Sequence, residues 1–204
     1  MRNIHIIKHP MNKVISIVLM SLLAIFHSYS QRVDLDRIEN DGRRQIMTDT
    51  KEFNFDGHDY KIGVKAFVSD YYTDWLLLVS SFHHISNSTI ILLKLGNDEI
   101  VELPVNNVNV GEVTMPGYGV QIGSITSYSP SSKVNYYSSV YVLTEEIISK
   151  IASNGIKKMR IYDGVDYHDR KHCNTISRYL VDGIKNIHKR IKTSPKKQNL
   201  YDDF

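Results

Sequence analysis

Over most of its middle the chain alternates apolar and polar residues, and near its C-terminal end it switches to helical spacing. In "EFNFDGHDYKIGVKAFV", Phe53 and Phe55 alternate with polar residues, and Tyr60, Ile62 and Val64 resume the pattern after Asp56-Gly57. Two period-2 runs around an Asp-Gly pair predict a β-hairpin. "WLLLVSSF", from Trp75 to Phe82, is a continuous apolar run and predicts a strand buried on both faces. "TIILLKL" and "EIVELPV" flank Gly96-Asn97-Asp98 and predict a second hairpin. Pro104 puts the end of that strand at a sheet edge, because proline has no N–H to donate to a ladder. "VQIGSITSY" and "NYYSSVYVL", separated by "SPSSK", predict two more strands.

The stretch "YVLTEEIISKIASNGIKKMRIY" reads as strand, helix, glycine stop and strand. Thr144 is placed to cap a helix over 145–153, with Glu145 and Glu146 in the first turn, at the positive end of the helix dipole. Ile147, Ile148 and Ile151 form its apolar face, and Asn154-Gly155 ends it. The two glutamates project about 100° apart, which does not aim both at one substrate, so this stretch is scaffold. Further on, Cys173, Ile176, Leu180, Ile184, Ile187 and Ile191 are spaced 3, 4, 4, 3 and 4 residues apart. That spacing predicts a long amphipathic helix over about 168–192, followed by a frayed tail at 193–204. Strands first and helices last give an α+β fold: an antiparallel sheet or sandwich of roughly six to seven strands with the long helix packed on it. The domain is expected to be single, over 31–192.

The N-terminus stands apart from this pattern. Arg2, Lys8 and Lys13 precede the uncharged run "VISIVLMSLLAIF", and Ser28 and Ser30 follow it. A basic segment, a short apolar segment and small residues at a cleavage position predict a signal peptide over 1–30, cut before Gln31. The run is too short for a hydrocarbon core that needs roughly 20 residues. Met11 opens a tighter version of the same signal and is an alternative start. The expected localisation is therefore export, to the periplasm, the outer surface or the medium, with no transmembrane segment after cleavage.

Charge and cysteine usage narrow the function classes. The formal net charge of +3 resides in residues 1–30, which hold three basic and no acidic residues; the remainder has 22 of each. A neutral mature chain has no general attraction for nucleic acid. Cys173 is the only cysteine, so no internal disulfide staples the exported domain.

Histidine gives one chemical lead. In "DYHDRKHC", His168 and His172 are four apart, which on a helix puts two imidazoles on one face, with Asp169 and Cys173 beside them. His83-His84 would supply further ligands, and zinc takes such nitrogen and sulfur donors. Against a metal-dependent hydrolase on His83, His84, His168 and His172, Cys173 lies in the apolar stripe while the histidine pair points elsewhere, and the glutamate of H-E-x-x-H is missing. The plainer reading is a polar helix start with a buried, inert cysteine. There is no G-x-S-x-G elbow, and "GYGVQIG" is not followed by a helix, so neither a serine nucleophile nor a phosphate cradle is present. No cofactor is implied.

Aromatics give a second lead. Of thirteen tyrosines, Tyr71 and Tyr72 lie with Trp75 around a turn, and Tyr137 and Tyr141 share one strand face. Such rings beside Asp70 and Asp74 suit a sugar- or peptide-binding surface, although strand packing alone also explains tyrosines.

The signal ending in "SYSQ", the "LKLGNDEIVEL" hairpin and the "YVLTEEIISKIASNGIKKMRI" unit together resemble small exported proteins of Bacteroides-type bacteria, a group to which no activity is attached. The resemblance bears on localisation and fold alone. The expected function is an exported, non-catalytic binding or accessory domain for a protein, peptide or glycan. The alternatives are the histidine-based hydrolase and an assembly subunit that docks through its C-terminal helix.

Overall fold

Twelve strands and two helices make up the described part of the computed structural model, residues 32–122 and 125–193. The signal-peptide assignment, the cut before Gln31 and all but the first residue of the expected tail lie outside those residues. In chain order the elements are β1 (Val33–Ile38), β2 (Arg44–Thr48), β3 (Lys51–Phe55), β4 (His58–Val68), β5 (Thr73–Ser81), β6 (Ile90–Leu95), β7 (Ile100–Met115), β8 (Tyr118–Ile122), β9 (Ile125–Ser129), β10 (Ser132–Leu143), α1 (Glu145–Asn154), β11 (Ile156–Tyr162), β12 (Tyr167–Lys171) and α2 (Asn174–Ile191). Ten strands form one antiparallel sheet in the order β1-β2-β4-β5-β10-β7-β6-β11-β12, with β3 also paired to β4; β8 and β9 form a separate hairpin. The architecture is mostly antiparallel sheet with two helices. It is broadly α+β, with more strands than the alternation alone predicts.

The expected elements form for the expected reasons. Thr144 accepts a hydrogen bond at its Oγ1 from the Ile147 N–H, and Gly155 stops α1 with φ of 68°. Met159 and Ile161 are buried on β11. "VQIGSITSY" is two strands rather than one, β8 and β9, paired from Tyr118↔Ser129 to Ile122↔Ile125. β7 does not end at Pro104 but runs eleven residues further, to Met115. Pro104 pairs with Ile90, the first residue of β6, so its missing N–H falls where the β6–β7 ladder ends.

The long helix is shorter than its sequence pattern suggests. Residues 167–171 are strand β12, paired with β11, and α2 begins only at Asn174. An Asp163-Gly164 turn makes the reversal: Asp163 Oδ1 accepts from the N–H groups of Val165 and Asp166, and Gly164 has φ of 96°. His172, with φ of 58°, then turns the chain into the helix. From there the periodic reading holds. Cys173, Ile176, Leu180, Ile184 and Ile187 are buried, together with Tyr179.

α2 spends this stripe on β1, β2, β4 and β11, so its apolar face is part of the core rather than a docking surface. Tyr179 joins Phe53 edge-on at 5.6 Å and donates its hydroxyl to the Asp49 carbonyl at 2.8 Å. The sheet bends until β12 reaches β3. No backbone ladder joins those two strands. Instead the Asp169 N–H donates to Asp56 Oδ2 at 2.7 Å, and Arg170 Nη1 donates to the Asn54 carbonyl at 2.6 Å.

Candidate functional site: a histidine and tyrosine cluster

The alternation that builds the β3–β4 hairpin also aims His58 and Tyr60 the same way, because residues two apart on a strand share a face. Tyr60 is fully buried in the core, and His58, nearer the strand end, is half-buried. β5 runs antiparallel to β4 with Lys61 opposite Ser80, so His83, just past the end of β5, arrives beside His58. On β12, His168 lies opposite the buried Ile161 and therefore also faces inward.

Three imidazoles and one phenol thus meet from three separate strands. The rings of His58 and His168 stack at 4.0 Å between centroids with 16° between planes. His83 meets His58 edge-on at 4.0 Å, and His58 Nδ1 lies 3.2 Å from His83 Nδ1 and 3.1 Å from its Nε2. Tyr60 Oη lies 2.5 Å from His168 Nδ1. Contacts of this kind between neutral imidazoles require one ring to donate and the other to accept, so the tautomers are coupled.

The electrostatics follow from crowding. Burial, then the charge of the neighbouring imidazoles, holds His83 below the ordinary histidine value. His168 is lowered by burial and by His58, against the pull of Asp166, Asp163 and Asp56. Burial foremost, then Asp163, pushes the Tyr60 hydroxyl well up, so it remains a neutral phenol. The arrangement places ring nitrogens and a hydroxyl close enough to share protons through hydrogen bonds. Among the described residues no group of three or more His, Cys, Asp or Glu side chains is placed to hold a metal ion.

The four histidines expected for a metal centre are therefore only half assembled. His83 and His168 come within 6.0 Å of each other, ring to ring. His84 is exposed and packs instead on Tyr137 at 5.3 Å, and His172 is exposed in the turn before α2. His168 and His172 do not share a helix face, because His168 belongs to a strand. Cys173 is buried and donates its thiol to the Arg170 carbonyl at 3.0 Å, and burial pushes that thiol up to about 11. A thiol so raised is a poor nucleophile.

The aromatic residues also separate. Tyr71 and Tyr72 are exposed, at 94% and 54%, on a tight turn in which Ser69 accepts their N–H groups. Trp75 is only 3% exposed and packs on His188, and Tyr141 is fully buried with its hydroxyl beside Ser139. Tyr137 is half-buried. The five aromatics do not make one platform.

Sequence reasoning missed His58 and Tyr60 as site residues. Their signal was present: His58 falls on the same parity as Tyr60, Ile62 and Val64, which marks it as facing the core.

A second feature stands out on β7. Beyond Pro104 its outer side pairs with no strand among the described residues, apart from one bond of the Val105 N–H to the Thr89 carbonyl. One face of the ribbon it forms with β10 carries Val113, Met115, Val134 and Tyr136, in line with Phe82, whose ring meets Tyr136 at 5.1 Å. The opposite face carries the Lys133–Glu112 ion pair.

No protein-family model matches the chain, and neither a curated protein nor a solved structure matches it. No described helix is long and apolar enough to cross a membrane.

Proposed function

We propose that this chain is an exported, non-catalytic binding domain that takes an extended polypeptide segment as an added strand along the outer edge of β7. The observation that carries the reading is that edge. From Asn106 to Met115 it is a long, exposed strand whose sequence, "NNVNVGEVTM", contains no lysine, arginine or proline. Proteins normally protect free edges with such residues, with bulges or with a covering element, because unpaired N–H and C=O groups recruit another strand. Strand addition uses those groups for affinity and side-chain contacts at alternate positions for selectivity. The exposed Val113 and Met115 offer apolar contacts of that kind. Export rests on the basic and apolar pattern of residues 1–30.

Extended peptides selected by display against the protein test this reading. Binding should protect the Asn106–Met115 amides from hydrogen exchange, and Asn109→Lys together with Val113→Lys should abolish it. Selected peptides that leave those amides unchanged would overturn it.

A further inference from the structure

We infer that the histidine cluster is a proton-operated latch on the seam between β12 and the β3–β4 hairpin. The inference does not depend on the function proposed above. The seam lacks a backbone ladder, so its closure rests on side chains: the Asp169–Asp56, Arg170–Asn54 and Tyr60–His168 hydrogen bonds, the Arg170 guanidinium over the Phe53 ring and the His58–His168 stack. His58 belongs to the hairpin, His168 to β12, and His83 leans on His58 from the end of β5.

Three imidazoles at these distances pack closely only while most are neutral. Like charges about 4 Å apart repel strongly where burial limits solvent screening. The groups around them do not cancel this. Asp163 and Asp166 in the β11–β12 turn, Asp56 in the hairpin turn and Asp59 on β4 favour protonation, yet His83 and His168 remain depressed. Arg170 follows on the same inward side of β12 and adds a fixed positive charge, and His84 lies next to His83 in sequence. Tyr60 stays neutral, as does Tyr141 on β10, pushed up to about 12 by burial.

The sign follows. Histidines depressed in the closed state bind protons more readily once the seam opens. Closure is therefore complete above the ordinary histidine value of 6.5 and weakens as pH falls below it. Arg170 Nε is buried without a partner, so one side of the seam is already incompletely satisfied. Tyr60 and Phe53 are the core side of the seam, touched by His168 and Arg170, whereas α2 makes none of the contacts named above.

Amide hydrogen exchange of the protein near pH 7.5 and near pH 5, corrected for intrinsic rates, tests the latch. The Asp169 amide, whose N–H donates across the seam to Asp56, should lose protection about tenfold at the lower pH, while amides of the β11–β12 and β3–β4 ladders and buried α2 amides change far less. In His58→Gln the extra loss should shrink to that of the α2 amides. Ring titration of the unmodified protein by NMR serves as a check that requires no variant: His83 and His168 should titrate below 6.5 and not independently. Equal protection of the seam at both pH values, or three independent titrations near 6.5, would overturn the latch.

Discussion

Arg44 grips Asp36 through two hydrogen bonds, Nε to Oδ1 at 2.7 Å and Nη2 to Oδ2 at 2.8 Å, with both side chains about nine-tenths buried. The same guanidinium donates to the carbonyls of Arg190 at 3.1 Å and Thr193 at 2.9 Å. Arg190 in turn donates to Asp36 Oδ2 at 2.7 Å. One ion pair therefore fastens the β1–β2 hairpin to the C-terminal end of α2, where unpaired helix carbonyls need donors. Removing one partner of such a pair leaves a desolvated charge. Asp36→Ala should lower unfolding stability by about 3 kcal/mol in urea titrations. A loss under about 1 kcal/mol would mean that the pair behaves like an exposed one.

The turn tyrosines and the tryptophan should separate cleanly in thermal melts. Tyr71→Ala and Tyr72→Ala should each change stability by under about 0.5 kcal/mol, since both rings project into solvent. Trp75→Ala should cost roughly 3–5 kcal/mol, because its ring is core.

Along α2, Leu180→Ala should cost about 2–5 kcal/mol. Cys173 should react slowly with a thiol reagent in native protein and rapidly in denaturant, since it is buried and its thiol is raised to about 11. Fast labelling without denaturant would contradict the packing described.

Gly96 is needed for room rather than for backbone freedom. A Cβ there would lie 2.3 Å from the Asn154 carbonyl oxygen, where the β6–β7 turn meets the end of α1. Gly96→Ala should therefore destabilise by about 1–3 kcal/mol, the range for overpacking. Asp98, which takes the left-handed conformation of the same turn with φ of 65°, should tolerate Gly.

Acid should unfold the whole domain at lower pH than it opens the seam. Hydrogen bonds from Arg160, then Lys158, hold the Asp169 carboxyl at about 2, and Arg44 and Arg190 hold Asp36 below 3.8. Carboxylates depressed in the folded state contribute stability that is complete above the unfolded value and is lost as pH falls through the folded one. Stability by denaturant titration should accordingly drop steeply between about pH 4 and pH 2. Asp169→Asn should flatten the lower part of that drop.

Much of this protein follows from local pattern. Alternation at Phe53–Val64, the apolar run at Trp75–Phe82, the Thr144 cap, the Gly155 stop and the stripe from Cys173 to Ile187 each act within a few residues. The physics that sets them is therefore visible in one stretch of chain. β1 and β2 are not legible in this way, because their pairing and the Arg44–Asp36 tie depend on α2 arriving nearly 150 residues later. β12 was hidden by the i, i+4 spacing of His168 and His172, which suits a helix. The free side of β11 and the Asp163-Gly164 turn made it a strand instead. The cluster shows the same limit most sharply. The sequence alone determined that His58 shares the inward face of Tyr60. Only the bending of the sheet decided that His168, 108 residues beyond Tyr60, would lie within hydrogen-bond reach of it, since strand order and curvature are set by packing between distant segments.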